Sequence, residues 1–265
     1  MITTALIGGS GVYVPDMLEN VFLHSVQTPY GEITYSCGEI DGRKVAFIPR
    51  HGTGHSLPPH KINYHANIWG LKKIGVKYII ASTAVGSLNP QMSVGDFVIP
   101  NQLLDFTKGR SSTFFESEGK KVVHVDFTNP YCLELGKMLF DCAKKEGIDA
   151  HIDATYICAE GPRFETTAEI KMYRMLGGDI VGMTSIPESV LAREAEMCYA
   201  TFSLVTNLAA GISEYPLSHQ EVHDCMKKTS GKITAFLKNA LTQISALETN
   251  CSCHNALNEF GGFNQ

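Results

Sequence analysis

Arg50, His51 and His55 form the densest group of side chains in this sequence that could act on a ligand. They follow residues 44–49, an apolar run typical of a buried strand. Open α/β sheets bind ligands at strand ends, and a permanent guanidinium beside two imidazoles suits an anion. The alternative is a surface loop with solvated side chains. The two histidines lack the intervening Glu of a zinc protease motif, so the sequence does not indicate zinc there.

A second candidate is the glycine-rich turn at residues 8–11, Gly-Gly-Ser-Gly, which follows a first apolar run. Its missing Cβ atoms would let backbone N–H groups approach an anion, with the Ser10 hydroxyl among them. A purely structural turn explains the same residues. The turn has neither the glycine spacing of the dinucleotide fingerprint nor the lysine of the Walker loop.

Hydroxyl groups also cluster at residues 82–87 and 183–185, after two further apolar runs. Each cluster either caps a strand end or contributes to one shared site. The chain contains no Gly-x-Ser-x-Gly elbow, which argues against a serine hydrolase of the common α/β type. Cys251, Cys253 and His254 lack a nearby second thiol pair in the sequence, so we predict no metal site.

The elements that must position these groups alternate between apolar runs and helical stretches, as in an α/β fold. Capping boxes at Thr166 with Glu169 and at Ser218 with Glu221 mark two helix starts. No linker divides the chain, so we predict one domain over residues 1–248 and a cysteine-containing C-terminal tail over 249–265. We predict strands over residues 3–7, 44–49, 76–83, 96–99, 154–160, 179–183 and 198–207, and helices over 59–74, 131–146 and 219–246.

The composition of the chain argues against some classes of binding partner. The 265 residues carry a net charge of -5, with 44% hydrophobic and 18% charged residues. A negative chain without a basic stretch is not expected to bind nucleic acid or an anionic membrane surface. No apolar run is long enough for a membrane span, and the first residues resemble a core strand more than a signal peptide. We therefore expect a cytoplasmic protein with reduced thiols.

The chain resembles the purine nucleoside phosphorylase family, specifically the methylthioadenosine phosphorylase branch, over nearly its whole length. The segments that carry the resemblance are GGSGVY, RHGTGHSLPPHKINYHANIWGLK, STAVGSL, AEGPRFET and GMTSIPESVLAREAEMCYA. The resemblance implies a single-domain fold with a central mixed, partly barrel-like β-sheet flanked by helices. It also implies reversible phosphorolysis of a purine nucleoside to free base and pentose 1-phosphate, without a cofactor or metal, with inorganic phosphate as a substrate.

The resemblance assigns roles residue by residue. The phosphate pocket is expected to contain Ser10, Arg50, His51, Ala84 and Thr184, with Thr83 shared between phosphate and ribose. The nucleoside is expected to contact His55, Met183, Phe164, Glu165 and Asn207. Asn207, Arg50 and His51 are expected to be the catalytic residues. His124 matches a residue lent to a neighbouring subunit, which implies a homotrimer or a hexamer, and His219 matches a histidine near the 5'-hydroxyl.

The base specificity depends on Asn207. Cleavage of the glycosidic bond builds negative charge on the purine, so a donor is needed at N7. Methylthioadenosine phosphorylases carry an acidic pair where this chain has Asn207, Leu208 and Ala209, so we predict a preference for 6-oxopurines such as inosine and guanosine. Methylthioinosine phosphorylase is the nearest alternative, followed by methylthioadenosine phosphorylase. A hydrolytic nucleosidase and a non-catalytic nucleoside-binding protein are the remaining hypotheses.

The cysteines could be free thiols or paired as disulfides. Cys132 and Cys198 match positions that are paired as disulfides in some thermophilic archaeal relatives. The charged fraction of 18% lacks the Glu and Lys enrichment of hyperthermophile proteins, so we predict free thiols.

Overall fold

The computed structural model describes residues 1–9, 17–116, 122–213, 216–244, 247 and 250–263. Strands and helices alternate through these residues. The strands are β1 Thr4–Gly8, β2 Glu19–Thr28, β3 Gly31–Ile40, β4 Arg43–Pro49, β5 Tyr78–Ser87, β6 Phe97–Phe106, β7 Ala150–Ala159, β8 Ile180–Gly182 and β9 Cys198–Leu208. The α-helices are α1 Tyr64–Lys73, α2 Leu133–Lys145, α3 Thr167–Met175, α4 Ser185–Glu194 and α5 His219–Gln243.

The strands form one mixed sheet in the order β2-β3-β4-β1-β5-β8-β7-β6-β9. Strands β5 and β9 also pair in parallel, which closes β5, β8, β7, β6 and β9 into a five-stranded barrel. Strands β1 and β4 extend this barrel in parallel, and the β2–β3 hairpin adds an antiparallel edge. The predicted α/β fold with a mixed, partly barrel-like sheet is confirmed.

Helices cover both faces of the extended part of the sheet, as the alternation of side chains along β1 shows. Leu6 joins a core cluster with residues of α2 and α5. Ala5 and Ile7 point the other way and pack with residues of α1 and α4. Because successive residues of a strand face opposite sides, a strand buried on both faces is apolar throughout. This continuous apolarity explains why the short runs of the sequence predicted the core strands well.

The capping boxes were predicted correctly, because Thr166 and Ser218 accept hydrogen bonds from the backbone of Glu169 and Glu221 at the starts of α3 and α5. The predicted helix over 59–74 was wrong in its first turn. Residues 59–61 form a separate 3-10 turn, and α1 begins only after Asn63, whose side chain accepts a hydrogen bond from Ala66. An extended Ile62 separates the two segments.

Three elements were not predicted, namely strands β2 and β3 and helix α4. In β3, every second residue from Ile33 to Cys37 is buried, which is the alternation expected of a strand. Its hairpin partner β2 lies at the edge of the sheet and is mostly exposed. Helix α4 is buried on nearly all sides, so it lacks the amphipathic period that reveals a surface helix. Among the described residues, no helix is long and apolar enough to cross a membrane.

Candidate active site

A cavity of about 550 Å³ lies where the carboxyl ends of β1, β4, β5, β8 and β9 meet. Most of the residues that the sequence predicted for the site line this cavity together. They are Arg50, His51, His55, Thr83, Ala84, Phe164, Glu165, Met183, Thr184 and Asn207.

The structure does not place three other predicted residues in this group. Ser10 lies outside the described residues. His124 is exposed and does not line the cavity. His219 is the first residue of α5, and its side chain lies outside what the structure describes.

Arg50 is the buried charge of the site, with only 1% of its surface exposed. Its Nε and Nη2 donate to the two carboxylate oxygens of Glu188 at 2.8 and 2.7 Å, and its Nη1 donates to the Ser82 carbonyl at 2.7 Å. Burial lowers the pKa of Arg50, but the charge and hydrogen bonds of Glu188 outweigh it and raise the pKa above its usual value. Of the five N–H bonds of the guanidinium, one on each terminal nitrogen remains for a ligand.

The glycine turn after β1 packs directly against this arginine. The Gly9 N–H donates to Ser82 Oγ at 2.8 Å, so this amide is not a donor to an anion. A Cβ at Gly9 would lie 2.4 Å from the Ser82 carbonyl oxygen and 3.0 Å from Arg50 Nη1. For Gly9, these contacts favour the structural interpretation of the turn, because glycine lets the end of β1 approach the Ser82 carbonyl of β5 and, beside it, Arg50.

His51 is held as a neutral imidazole with a fixed tautomer. Its Nδ1 lies 2.8 Å from the Leu57 carbonyl, which can only accept, so Nδ1 carries the proton. Burial lowers the pKa of His51 to about 4, and the neighbouring Arg50 and His55 act in the same direction. The His55 ring stacks on His51 with 4.3 Å between centroids. At neutral pH, Nε2 of His51 is thus a hydrogen-bond acceptor.

The residue that precedes α4 forms part of the cavity wall. Thr184 is its N-cap, is 6% exposed and lines the cavity. The Thr184 side chain makes no capping hydrogen bond to the helix. Because Ile186 leaves helical geometry within α4, the regular helix starts beyond it, and the Thr184 hydroxyl is the group of this wall that can bind an anion beside Arg50.

Asn207 lies across the cavity near the end of β9, and its amide is oriented by the backbone. Its Nδ2 donates to the Leu208 carbonyl at 3.0 Å, and because that carbonyl can only accept, the NH2 group must face it. Thr206 Oγ1 lies 3.0 Å from Asn207 Oδ1. The second N–H of the amide is left to donate to a ligand.

The remaining polar groups of the cavity differ in what they can offer. Thr83 donates its hydroxyl proton to Ser203 at 2.8 Å, so its oxygen is an acceptor suited to a sugar hydroxyl more than to phosphate. Burial raises the pKa of Glu165, which favours the protonated carboxyl that can donate. Phe164 is partly exposed at the rim, where a planar ring could cover a base.

Sequence reasoning missed the residues that support the site from beneath. Glu188 lies on α4, is completely buried, and also accepts a hydrogen bond from Tyr199 at 2.8 Å. Arg110 donates to the carbonyls of Met183 and Ile186 at 2.8 and 2.7 Å, which ties the start of α4 to the barrel. The segment SIPESVLARE contains Glu188, Arg193 and Glu194, so no local signal in the sequence singles out Glu188.

The chain is similar in sequence to known proteins over nearly its whole length. The family model described as Phosphorylase superfamily matches residues 3–242. The chain belongs to the phosphorylase superfamily. The 6-oxopurine nucleoside phosphorylase of Pyrococcus furiosus is 52% identical over 258 residues, which cover 96% of this chain and 97% of that relative. A probable S-methyl-5'-thioinosine phosphorylase of Thermodesulfovibrio yellowstonii is 44% identical over 259 residues, covering 97% and 96%.

The fold of these phosphorylases is shared as well. A methylthioadenosine phosphorylase sourced from an antarctic soil metagenomic library superposes with a TM-score of 0.91 at 39% identity, over 97% of this chain and 91% of that one. The family identified by resemblance in the sequence is therefore confirmed, and the chain is an enzyme of the purine nucleoside phosphorylase group.

Proposed function

We propose that this phosphorylase catalyses the reversible phosphorolysis of 6-oxopurine nucleosides, inosine and guanosine, to free base and ribose 1-phosphate. The observation that carries the proposal is the orientation of Asn207, whose Nδ2 is fixed toward Leu208 and retains one N–H for a ligand. The relative from Pyrococcus furiosus, named a 6-oxopurine nucleoside phosphorylase, supports the same substrate class.

At the base end, Asn207 would donate to purine N7. As the C1'–N9 bond breaks, its electron pair stays with the purine, and a donor at N7 stabilises that charge most where it is greatest, in the transition state. Glu165, with its raised pKa, would donate or accept at the purine edge. Phe164 would cover the ring at the rim. Position 207 carries an amide and not a carboxyl group, so it lacks the acidic group that would favour a 6-aminopurine.

At the phosphate end, Arg50 and the Thr184 hydroxyl would hold the anion. A phosphate oxygen then donates an electron pair to C1' as the purine departs, so the new C–O bond replaces the C–N bond. His51 would accept a hydrogen bond from the hydroxyl of hydrogen phosphate, because its Nε2 carries no proton at neutral pH. Phosphate itself would supply the negative charge that stabilises the cationic ribose.

A second candidate, phosphorolysis of 5'-methylthioinosine, is favoured by one feature of the cavity. Val222 of α5 lines the cavity and offers an apolar contact that suits a methylthio group. His219, the first residue of the same helix, matches by family resemblance a histidine near the 5'-hydroxyl. Replacing His219 by Ala should lower kcat/KM for inosine by about 5- to 100-fold, equivalent to about 1 to 3 kcal/mol, and leave methylthioinosine nearly unchanged.

We also propose that the enzyme works as a homotrimer in the cytoplasm in purine salvage. The exposed His124 would then complete the site of a neighbouring subunit, as the family resemblance implies. A subunit mutated at His124 and one mutated at Asn207 should regain activity when they are mixed, dissociated and reassembled. Verified mixed oligomers without activity would contradict the shared site.

Steady-state rates for inosine, methylthioinosine, adenosine and methylthioadenosine, with and without phosphate, test the function. We expect hypoxanthine release from inosine to require phosphate and to exceed adenine release. Equal release without phosphate would indicate a hydrolase. A large preference for methylthioinosine would favour the second candidate.

A further inference from the structure

Four cysteines from three distant segments of the sequence meet at the start of β9, the end of this strand away from Asn207. Cys132 is the N-cap of α2, Cys198 begins β9, and Cys251 and Cys253 belong to the C-terminal segment. Their four Sγ atoms all lie within 4.8 Å of one another. Three of the side chains are buried and Cys251 is half-buried. The two thiols of the C-terminal segment therefore do have a second pair, which the sequence alone did not show.

The spacing of these sulfur atoms fits a single metal ion. Zinc bound to four thiolates sits about 2.3 Å from each sulfur, which places the sulfurs about 3.8 Å apart in a tetrahedron. Cys198 and Cys251 are 3.3 Å apart, and no pair of the four exceeds 4.8 Å. Movements of about an ångström or less would form the tetrahedron.

We propose that Cys132, Cys198, Cys251 and Cys253 bind one zinc ion as a structural site. Four soft thiolate ligands with no open position favour zinc among the common divalent cations, and a closed set of four protein ligands is typical of structural zinc. Each cysteine releases its thiol proton to solvent and forms one bond to zinc. The ion and the sulfurs keep their oxidation states, so the step needs no oxidant.

The protein backbone holds the first two ligands in place before any ion binds. The Cys132 N–H donates to the Tyr199 carbonyl, and the Cys198 N–H donates to the Lys77 carbonyl, both at 2.8 Å. These bonds fix Cys132 beside the start of β9. The N-terminus of α2 adds partial positive charge, which stabilises thiolates at this position.

A histidine next to the cluster is oriented toward it. His254 Nδ1 lies 3.1 Å from the Glu196 carbonyl, which can only accept, so this nitrogen carries a proton. His254 Nε2 lies 3.5 Å from Cys198 Sγ. A neutral His254 can therefore accept a hydrogen bond from the Cys198 thiol through Nε2, which orients this sulfur before the ion binds.

The site would fasten the C-terminal segment to the body of the enzyme. The same segment donates backbone hydrogen bonds from Leu257 and Phe263 to the Glu196 carboxylate at 3.1 and 3.0 Å. Phe263 then packs against Trp69 and Phe114, with ring centroids 5.0 and 5.3 Å away. Loss of the ion is therefore expected to loosen this segment and lower thermal stability.

Metal analysis of the full-length enzyme, purified with reductant and without chelator, tests the proposal. We expect about one zinc per chain, about none in the C132S/C198S double variant, and an unchanged content in C142S, whose thiol is also buried on α2 but lies outside the cluster. If the purified enzyme contains less zinc, the fully reduced chain is titrated with zinc against a chromophoric chelator. We then expect one tight site and a rise in Tm that the double variant lacks.

Two results would overturn the proposal. One is a fully reduced enzyme that binds no zinc in the titration. The other is an untreated enzyme in which peptide mass mapping shows disulfides among these four cysteines instead of free thiols. Because the double variant could fail to fold, addition of chelator to the wild type is the second measurement. It should lower Tm, and zinc should restore it, whereas C142S should respond as the wild type does.

Discussion

Glu188 binds Arg50 through both carboxylate oxygens, at 2.7 and 2.8 Å, and both side chains are buried beneath the cavity. The edge of the guanidinium formed by Nε and Nη2 is therefore bound to Glu188 and not open to a ligand. Among the described residues, only the outward N–H bonds of Arg50 have no partner and can bind a ligand. Glu188 sets the direction of these bonds, and Tyr199 in turn fixes Glu188.

Removal of Glu188 should destabilise the enzyme strongly. Glu188→Ala leaves a buried guanidinium without its counter-charge, which typically costs about 3 to 5 kcal/mol. Chemical denaturation should show this loss in the free energy of unfolding. Tyr199→Phe, which removes only one hydrogen bond to Glu188, is the matched control and should cost about 1 kcal/mol. Similar costs for both variants would contradict the central position of the ion pair.

Glu188→Gln keeps the shape of the side chain and tests its effect on the site. A neutral amide can accept from Arg50 with one oxygen only, so the guanidinium loses its fixed direction. We expect the KM for phosphate to rise several-fold while the KM for inosine changes little. A KM for phosphate that stays at the wild-type value would show that Glu188 serves folding alone.

Arg50 should be required for phosphate. Arg50→Ala should raise the KM for phosphate strongly and lower kcat, because a charge-assisted contact to a desolvated anion contributes about 2 to 3 kcal/mol. Lys should rescue only part, since an ammonium cannot bind Glu188 and phosphate in the same planar geometry. Unchanged phosphate kinetics in Arg50→Ala would remove this residue from the site.

Gly9 should not tolerate even a methyl group. In Gly9→Ala the Cβ would lie 2.4 Å from the Ser82 carbonyl oxygen, so β1 or β5 must shift, at a cost of about 1 to 3 kcal/mol. The KM for phosphate should rise because Arg50 is next to the new methyl group. Gly231→Ala is the control, since a Cβ there meets nothing within 4 Å on helix α5. That variant should be neutral or up to about 1 kcal/mol more stable.

His51 should make the stability depend on pH. Its pKa is lowered to about 4 in the folded enzyme, whereas an unfolded histidine titrates near 6.5. Below pH 6.5 the unfolded chain binds a proton that the folded chain does not, so stability falls as the pH falls toward 4. Between pH 7 and 4.5 this contribution amounts to about 2 kcal/mol.

His51→Asn provides the comparison, because its amide can still donate to the Leu57 carbonyl but does not titrate. The difference in unfolding free energy between the wild type and His51→Asn should therefore change in favour of the variant as the pH is lowered. A difference that is constant from pH 7 to 4.5 would show that His51 is not held neutral.

The sequence predicted what depends on local patterns. Continuous apolar runs predicted the strands that are buried on both faces, and the capping boxes at Thr166 and Ser218 marked two helix starts. These signals are local because a strand's burial and a helix's first turn depend on neighbouring residues. The groups of site residues after β4, β5 and β8 were also visible, because strand ends in an α/β sheet meet at one edge.

What the sequence could not show depends on contacts between distant residues. Glu188 pairs with Arg50 across 138 residues, and no local pattern signals that pairing. Cys132 and Cys198 likewise meet Cys251 and Cys253 only in the folded chain, because these segments are distant in the sequence. The occupied face of Arg50 and the fixed amide of Asn207 depend on hydrogen bonds, and these require coordinates.

The ratio of kcat/KM for inosine to that for adenosine, measured in the wild type and in Asn207→Asp with saturating phosphate, tests the account most directly. The wild type should favour inosine, because the Asn207 amide donates to N7 without a carboxyl group for the 6-amino position. Asn207→Asp should lower activity on inosine and shift the ratio toward adenosine by about tenfold or more, since a site built for one polar group discriminates steeply when that group changes. A wild type that prefers adenosine, or a ratio that Asn207→Asp leaves unchanged, would contradict the assignment of Asn207 to the base and with it the proposed 6-oxopurine specificity.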